Sequence, residues 1–339
     1  MLNERRRRVL SALVEEYIAS ATPVGSKTLV DRYELGCSPA TVRNELSILE
    51  ETGFVLQPHI SAGRMPTDIG YRSFVDALIE SGEPSRAGES MTAVPSRAAE
   101  VDDLMRETSV ALTQLTSCLA VVLAPSVSLS CVRRIDLLSL SPGRAVFVLI
   151  TSSGQVVNRS IELAAEATPE RLAEIERAMN AALDGKRATE IRPLRDAIET
   201  VHAAAGHAPD GLVGSIIDVI LDALEEADRD RLHHVGVPAL LAQPEFHDAE
   251  RARPLIEFLE DSISVLEALS DAMDTHEITV RIGHENRRTV LDNVSIVATN
   301  YGSAHGQGVV GVIGPTRMDY PRAMAAVRVV ADGLTDALS

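Results

Sequence analysis

The sequence predicts an α+β protein built from several domains. Its 339 residues suffice for two or three units that each bury a core. Residues 1–80 combine helical periodicity with two short β-rich segments, and two later groups of three β-rich segments are separated by a mostly helical stretch. Hydrophobic residues make up 45% and charged residues 24%, which is typical of a globular protein and excludes a disordered chain.

The N-terminal residues are predicted to form a small helical domain. Amphipathic helices are predicted over 3–20, 25–33 and 39–52. Ser38 suits the cap of the third helix, because its hydroxyl can accept from a free backbone N–H there. Only the short, glycine-containing turn 34–37 separates the second helix from the third, as in a helix-turn-helix.

The third helix carries a face typical of a base-reading helix. Val42, Leu46 and Leu49 fall on one side and are expected to face the core. Asn can pair with adenine, Arg with guanine, and Ala or Thr methyl groups can touch thymine. The predicted base-reading residues on the other side are Ala40, Thr41, Arg43, Asn44 and Ser47. The alternative is an ordinary amphipathic helix whose polar face is only solvated.

A hairpin is predicted directly after this helix. It consists of a short strand over 54–57, a tight loop over 58–63 and a returning strand over 64–66. Together with the three helices it predicts a winged helix-turn-helix, whose wing suits contact with phosphates or the minor groove. The predicted backbone and wing contacts are Lys27, His59, Ser61 and Arg64. Because the chain has no Trp and only 3% aromatics, double-stranded DNA fits better than stacked single strands.

The net charge of −17 is distributed unevenly along the chain. Residues 1–76 hold nine basic and ten acidic residues, so nearly all of the negative charge lies in the remainder. Basic side chains of the first domain can therefore share one surface while its acids face away. The run Arg5–Arg8 is either a set of phosphate contacts or only a solvated face.

Several other site classes are rejected on sequence grounds. The string 306–311 fits a dinucleotide fingerprint, but it lies between two predicted strands rather than between a strand and a helix. His284-Glu285 begins like a zinc-protease motif, but Arg288 stands where the second His is needed. We therefore expect no metal, no cofactor and no enzymatic activity. Three cysteines without a C-x-x-C pair, and the lack of a signal peptide or membrane span, predict a reducing cytoplasmic location.

The rest of the chain is expected to alternate between β-rich and helical parts. Strands are predicted over 132–140, 144–151, 155–163, 277–282, 293–301 and 308–313, with a short strand pair over 233–242. Helices are predicted over 68–80, 100–123, 168–183, 192–202, 211–227, 253–272 and 321–338. A Ser-, Gly- and Pro-rich linker is predicted over 81–99. We expect the two groups of three strands to form one antiparallel sheet, interrupted by a mostly helical insert at about 166–248.

Three segments resemble those of a known family. The run SPATVRNELSILEETGFVLQPHISAGRMPTDIGYRSFVD, residues 38–76, resembles the DNA-binding domain of the bacterial heat-inducible transcription repressor (HrcA) family. VRIGHEN, residues 280–286, and GVVGVIGPTRMDY, residues 308–320, are similar to two further segments of that family. LLAQPEF, residues 240–246, matches more loosely, with Ala-Gln where the family has Gly-Asn.

The resemblance implies a layout and a function. It implies a winged helix-turn-helix DNA-binding domain over 1–80, a linker over 81–99, a GAF-like domain over 100–165 and 249–339, and an inserted dimerisation domain over 166–248. It also implies a homodimer that represses heat-shock chaperone operons from an inverted-repeat operator in double-stranded DNA. The chaperonin GroEL would maintain its active fold.

The sequence leaves two alternatives open, one for the segment before the last helix and one for the function. The segment Arg317, Asp319 and Tyr320 either fixes the last helix through an Arg–Asp pair and a cap, or serves as an interdomain latch or pocket lining. The alternative function is a ligand-sensing regulator whose GAF-like domain binds a small effector. A polar-lined pocket would favour the ligand sensor, and a closed, apolar-filled fold would favour chaperonin dependence.

Overall fold

The computed structural model describes most of the chain. The described residues are 2–60, 62–82, 101–127, 130–152, 154–163, 167–183, 185–187, 191, 212–229, 231–261, 264–265, 267–269, 277–303 and 306–338. Most of the predicted linker and the predicted helix over 192–202 lie outside these residues, as does Ser61. The described part is a mixed α+β fold with antiparallel sheets, as predicted.

The N-terminal unit, residues 2–82 as described, is called the head below. It contains α1 (Glu4–Ser20), α2 (Ser26–Arg32), α3 (Pro39–Glu51), β1 (Val55–Leu56), β2 (Met65–Pro66) and α4 (Asp68–Ser81). The side chains of Asn3, Ser38 and Thr67 cap α1, α3 and α4 by accepting from backbone N–H groups. These bounds lie within a few residues of those predicted, because caps and apolar periodicity are both local signals.

The remaining described residues, from Val101 onward, are called the body. Its strands are β3 (Leu119–Leu123), β4 (Val132–Ser141), β5 (Arg144–Thr151), β6 (Val156–Glu162), β7 (Leu232–Val235), β8 (Thr279–Ile282), β9 (Val294–Ser303) and β10 (Gly306–Pro315). Its helices are α5 (Val101–Thr116), α6 (Pro169–Leu183), α7 (Leu212–Arg229), α8 (Val237–Leu241), α9 (Ala249–Glu260) and α10 (Tyr320–Ala337). The predicted strand pair over 233–242 is instead β7 followed by α8.

The predicted helix over 100–123 is wrong in its second half. α5 ends at Thr116, Ser117 adopts a positive φ of 55°, and the next residues form β3. β3 lies between β7 and β10, and all five of its residues are buried. A central strand covered on both faces has no alternating pattern, so its sequence cannot be distinguished from that of a buried helix.

The prediction of one sheet shared by both groups of three strands is also wrong. The body holds a five-stranded antiparallel sheet in the order β7-β3-β10-β9-β8 and a separate three-stranded sheet in the order β4-β5-β6. The inner face of the small sheet, which includes Phe147 and Leu149, shares a core with Ile175 of α6 and Ile216 of α7. The larger sheet contains β3, which the sequence does not predict as a strand, in place of the predicted strands β4, β5 and β6.

Candidate nucleic-acid interface

α3 buries one face and exposes the other. Val42, Leu46 and Leu49 are at most 2% exposed within the core of the head. Of the predicted base-reading residues, Ala40, Arg43 and Asn44 are exposed, while Thr41 and Ser47 are partly exposed. The sequence therefore placed the two faces of this helix correctly.

Some side chains on the polar face of α3 already make hydrogen bonds within the head. The Thr41 hydroxyl lies 3.0 Å from that of Ser38, and the Ser47 hydroxyl donates to the Arg43 carbonyl at 3.1 Å. Within the described residues the Arg43 and Asn44 side chains make no hydrogen bond or ion pair. Their guanidinium and carboxamide groups are thus the free donors and acceptors on this surface.

The side-chain amide of Gln57 stabilises the loop between β1 and β2. Gln57 Nε2 donates to the carbonyls of Ile60 and Ala62, at 3.0 and 2.8 Å. β1 pairs antiparallel with β2, which confirms the predicted hairpin. His59 is exposed at its tip, and Ile60 is fully exposed beside it. The role of Gln57 could not be predicted from the sequence, because its two acceptors become neighbours only when the loop folds.

The predicted cationic contacts differ in their surroundings. Lys27 is exposed at the start of α2 and has no ion pair among the described residues. Arg64 is mostly buried, since its guanidinium pairs with Glu50 of α3 at 2.8 Å and its side chain is 18% exposed. Its backbone also pairs with Val24. Arg64 thus ties the hairpin to α3 and to the α1–α2 connection.

The arginine run at the start of α1 divides into two pairs. Arg6 Nε contacts Glu45 of α3 at 3.0 Å, and Arg8 donates to the Glu34 carbonyl at 2.6 Å. Arg5 and Arg7 are exposed. The helical spacing of Arg6 from the buried Leu10 and Leu13 is a signal that could have shown which face it occupies. Arg6 and Arg8 therefore make contacts within the head, and Arg5 and Arg7 face solvent.

The three residues of the segment before the last helix, Arg317, Asp319 and Tyr320, have separate hydrogen-bond partners. Asp319 caps α10 by accepting from the Arg322 N–H at 3.0 Å, as predicted. Arg317 pairs with Glu245 at 2.5 Å, so the alternative of an Arg317–Asp319 pair is not what the structure shows. Tyr320 is buried, and burial raises its pKa above the ordinary value. Its hydroxyl donates to the Thr316 carbonyl at 2.6 Å.

In the part of the chain that the structure describes, clefts of the size of a small-molecule site include the following two. One, of about 400 Å³, lies where α1 and α4 meet the body and is lined by Ile18, Phe74, Cys118 and Arg317 among others. Burial raises the pKa of the Cys118 thiol to about 11, so this thiol is protonated at neutral pH. The other, of about 490 Å³, lies against α10. Ligand sensing, the alternative function, stays a prediction.

Among the described residues, no helix is both long enough and apolar enough to cross a lipid bilayer.

Comparison with known proteins gives consistent matches along the chain. The HrcA protein C-terminal domain family matches residues 102–324. The heat-inducible transcription repressor HrcA of a Nocardioides species is 42% identical, with 98% of this chain and 97% of that protein covered. The protein of the same name from Streptomyces avermitilis is 41% identical over the same shares. A solved structure, described only as a hypothetical protein at 2.2 Å resolution, is 25% identical with a TM-score of 0.68, and 100% of this chain and 99% of that chain are covered.

These matches bear on two sequence predictions. The relatives are named as transcription repressors and not as enzymes, in agreement with the prediction that the chain is not an enzyme. The resemblance found in residues 38–76, 280–286 and 308–320 is confirmed by relatives that match nearly the whole chain. The chain belongs to the HrcA family of heat-inducible transcription repressors.

Proposed function

We propose that this chain is a dimeric repressor of heat-shock chaperone operons that binds an inverted-repeat operator in the cytoplasm. The observation that carries the proposal is the outer face of α3, where Arg43 and Asn44 are exposed and unpaired within the described residues. A helix that buries its apolar side and presents free amide and guanidinium groups is suited to the major groove.

We infer that the head is a winged helix-turn-helix. α2 and α3 are joined by a short turn, and the antiparallel β1–β2 hairpin follows α3. In this arrangement α3 reads bases, while Lys27 and His59 contact the sugar-phosphate backbone or minor groove. Ser61 and Arg64 belong to the same proposed wing, where Arg64 also fixes the hairpin against Glu50. Arg5 and Arg7 are exposed as well, and we propose that they add positive charge for phosphate contact.

We infer that the five-stranded sheet belongs to the GAF-like domain and that the insert begins before β4. The small sheet shares its core with α6 and α7, whereas β3 and β10 are paired in the larger sheet. The dimerising insert would then comprise the small sheet and these helices, rather than starting at residue 166. We draw this boundary from the separation of the two cores.

The small sheet also offers a surface for a second copy of the chain. Leu138, Leu140 and Val156 on its outer side are 56%, 61% and 56% exposed. Val146 and Ile150 are partly exposed, and they pair across the strands with Leu138 and Val156 respectively. These large aliphatic side chains share one face of the sheet, and we propose that this face lies at the dimer interface.

The test of the proposed function is a footprint on the DNA upstream of the chain's own gene. The purified protein should protect an inverted repeat, and it should bind that duplex far more tightly than a scrambled duplex of equal length at the same salt concentration. Arg43→Ala and Asn44→Ala together should abolish the preference. Equal affinity of the unmodified protein for both duplexes would overturn the proposal.

Chaperonin dependence is a separate part of the proposal and has its own test. A chaperonin can keep a repressor active only if the repressor readily loses its active fold, which requires marginal stability. Operator affinity of freshly refolded protein should rise when GroEL and ATP are added. Full operator binding without GroEL, retained after heating, would contradict this dependence without touching DNA recognition.

A further inference from the structure

The start of α4 is clamped onto a turn of the body. The Asp68 carboxylate accepts from the backbone N–H of His284 at 2.9 Å and lies 2.7 Å from its Nδ1. One turn along α4, Arg72 forms a two-pronged contact with Glu285 and donates to the Val280 carbonyl at 2.5 Å. Charge-assisted and bidentate contacts of this kind fix orientation as well as distance.

The close approach depends on a glycine. Gly283 adopts a positive φ of 51°, and a Cβ on it would collide with the Asp68 carboxylate. A side chain at position 283 would therefore displace the Asp68 carboxylate from its contacts with His284, besides straining the backbone. The fit between α4 and the body is thus a close-packed one, rather than a loose touch between two surfaces.

A second set of contacts joins the end of α1 to the body. Arg317 donates to the Ile18 carbonyl at 3.3 Å, while its guanidinium is held by Glu245 at 2.5 Å and by Gln243 at 3.2 Å. Here the loop 240–246 supplies the support for Arg317. The Arg317 side chain is only 14% exposed, so its position is largely fixed by these partners.

Aromatic packing lies between the two sets of polar contacts. The rings of Tyr71 and Tyr320 are 5.8 Å apart at an angle of 50°, and both residues are buried. They belong to one apolar core that runs from α1 and α3 of the head to α5 and α10 of the body. The family-like segments 38–76, 280–286 and 308–320 thus contact one another here, together with the loop 240–246.

We propose that these contacts, the head–body joint, set the orientation of each head so that the dimer accepts a single spacing between operator half-sites. This rests on the proposed function as a dimeric reader of an inverted repeat. The joint residues are Asp68, Arg72, His284, Glu285 and Arg317, with Tyr71 and Tyr320 between them. They are positioning residues, because Arg43 and Asn44 form no hydrogen bond or ion pair with them and stay exposed for contact with DNA.

The physical reason is the cost of ordering two heads on one duplex. When the first head is bound, the second binds intramolecularly, and its effective concentration is highest if it already points at its half-site. Half-sites on one face of B-DNA recur about every 10.5 base pairs, so rigid heads accept one spacing and reject insertions of about half a turn. Loosely tethered heads would tolerate such insertions.

The experiment uses the full-length chain and the duplex found by footprinting. Arg72→Ala, Arg317→Ala and their combination are compared with the unmodified chain on three probes: the full operator, a single half-site, and operators with one to about six base pairs inserted between the half-sites. Arg253→Ala is the matched control, because Arg253 makes an exposed pair with Glu257 and forms no hydrogen bond or ion pair with a joint residue. Arg72→Lys tests whether the bidentate geometry, rather than the charge alone, is required.

We expect the joint variants to lose affinity for the full operator but not for a single half-site. Full-operator affinity of the double variant should fall by about tenfold or more, half-site affinity should stay unchanged, and affinity should depend less on spacing than in the unmodified chain. The full-operator affinity of Arg72→Lys should lie between that of the unmodified chain and that of the double variant. An unchanged spacing profile, a parallel loss on the half-site, or a gain of full-operator affinity would each overturn the joint proposal. If the unmodified chain does not prefer its operator, the proposed function itself fails.

Discussion

The Asp68 carboxylate lies 2.7 Å from Nδ1 of His284, across the boundary between head and body. His284 Nε2 faces a second carboxylate, that of Asp292, at 3.8 Å. The hydrogen bond to Asp68, followed by the attraction of Asp292 and of Asp68, raises the pKa of His284 above its ordinary value. The imidazole therefore binds its proton more tightly when the head is docked.

This shift predicts how the contact responds to pH. Because the pKa is raised in the docked state, the stabilisation is fully present below the ordinary histidine pKa of about 6.5 and is lost as the pH rises through the higher docked value. An NMR titration of the His284 ring should show that Asp68→Asn lowers its pKa. Asp336→Asn, which removes an exposed carboxylate from α10, should leave it unchanged. An unaltered His284 titration in Asp68→Asn would show that the contact is absent in solution.

Asn44 should carry sequence information without contributing to general DNA affinity. Replacing it with Ala removes a bidentate partner for one base, so Asn44→Ala should cost about 1–3 kcal/mol on the operator and almost nothing on random DNA. Fluorescence anisotropy on both duplexes at one salt concentration measures the difference. Asn293→Ala, at an exposed position of the body, is the control. Equal losses on operator and random DNA would defeat the base-reading assignment.

Lys27 should behave in the opposite way. An exposed ammonium group that contacts phosphate releases counterions whatever the sequence, so Lys27→Ala should weaken operator and random DNA alike. The slope of log affinity against log salt should become shallower by about one. Arg253→Ala, whose charge is already paired with Glu257, should leave that slope unchanged. A normal slope in Lys27→Ala would remove Lys27 from the interface.

The head was predictable from sequence because its signals are local. Ser38 next to Pro39 marks the start of α3, and the spacing of Val42, Leu46 and Leu49 defines its buried face. Neither feature depends on distant parts of the chain. The same holds for the meander β4-β5-β6, where short turns join strands that alternate between buried and exposed positions.

The joint and the large sheet were not predictable in the same way. β3 looks helical because it is buried on both sides, and only its neighbours β7 and β10 reveal it as a strand. The contact of Arg72 with Glu285 joins residues that are far apart in the chain. No periodicity encodes such a pair. The sequence identified these segments as motifs, but their meeting point depends on the tertiary fold.

Leu138 provides the test of the proposed dimer surface. It lies on the outer side of β4, is 56% exposed in the single chain, and pairs across the strands with Val146. If two copies meet on this face, Leu138→Asp places an unpaired carboxylate into an apolar contact twice, once in each copy. The dimer dissociation constant should then rise by about a hundredfold or more, since about 1.4 kcal/mol corresponds to a factor of ten.

Analytical ultracentrifugation over a concentration series measures this constant directly. Val110→Asp is the matched control, because Val110 is 40% exposed on α5, outside the small sheet, so that substitution should leave the dimer intact. Because a monomer offers one head, Leu138→Asp should also lose affinity for the full operator while its affinity for a single half-site stays the same. A Leu138→Asp protein that remains as dimeric as the unmodified chain would place the interface elsewhere on the body.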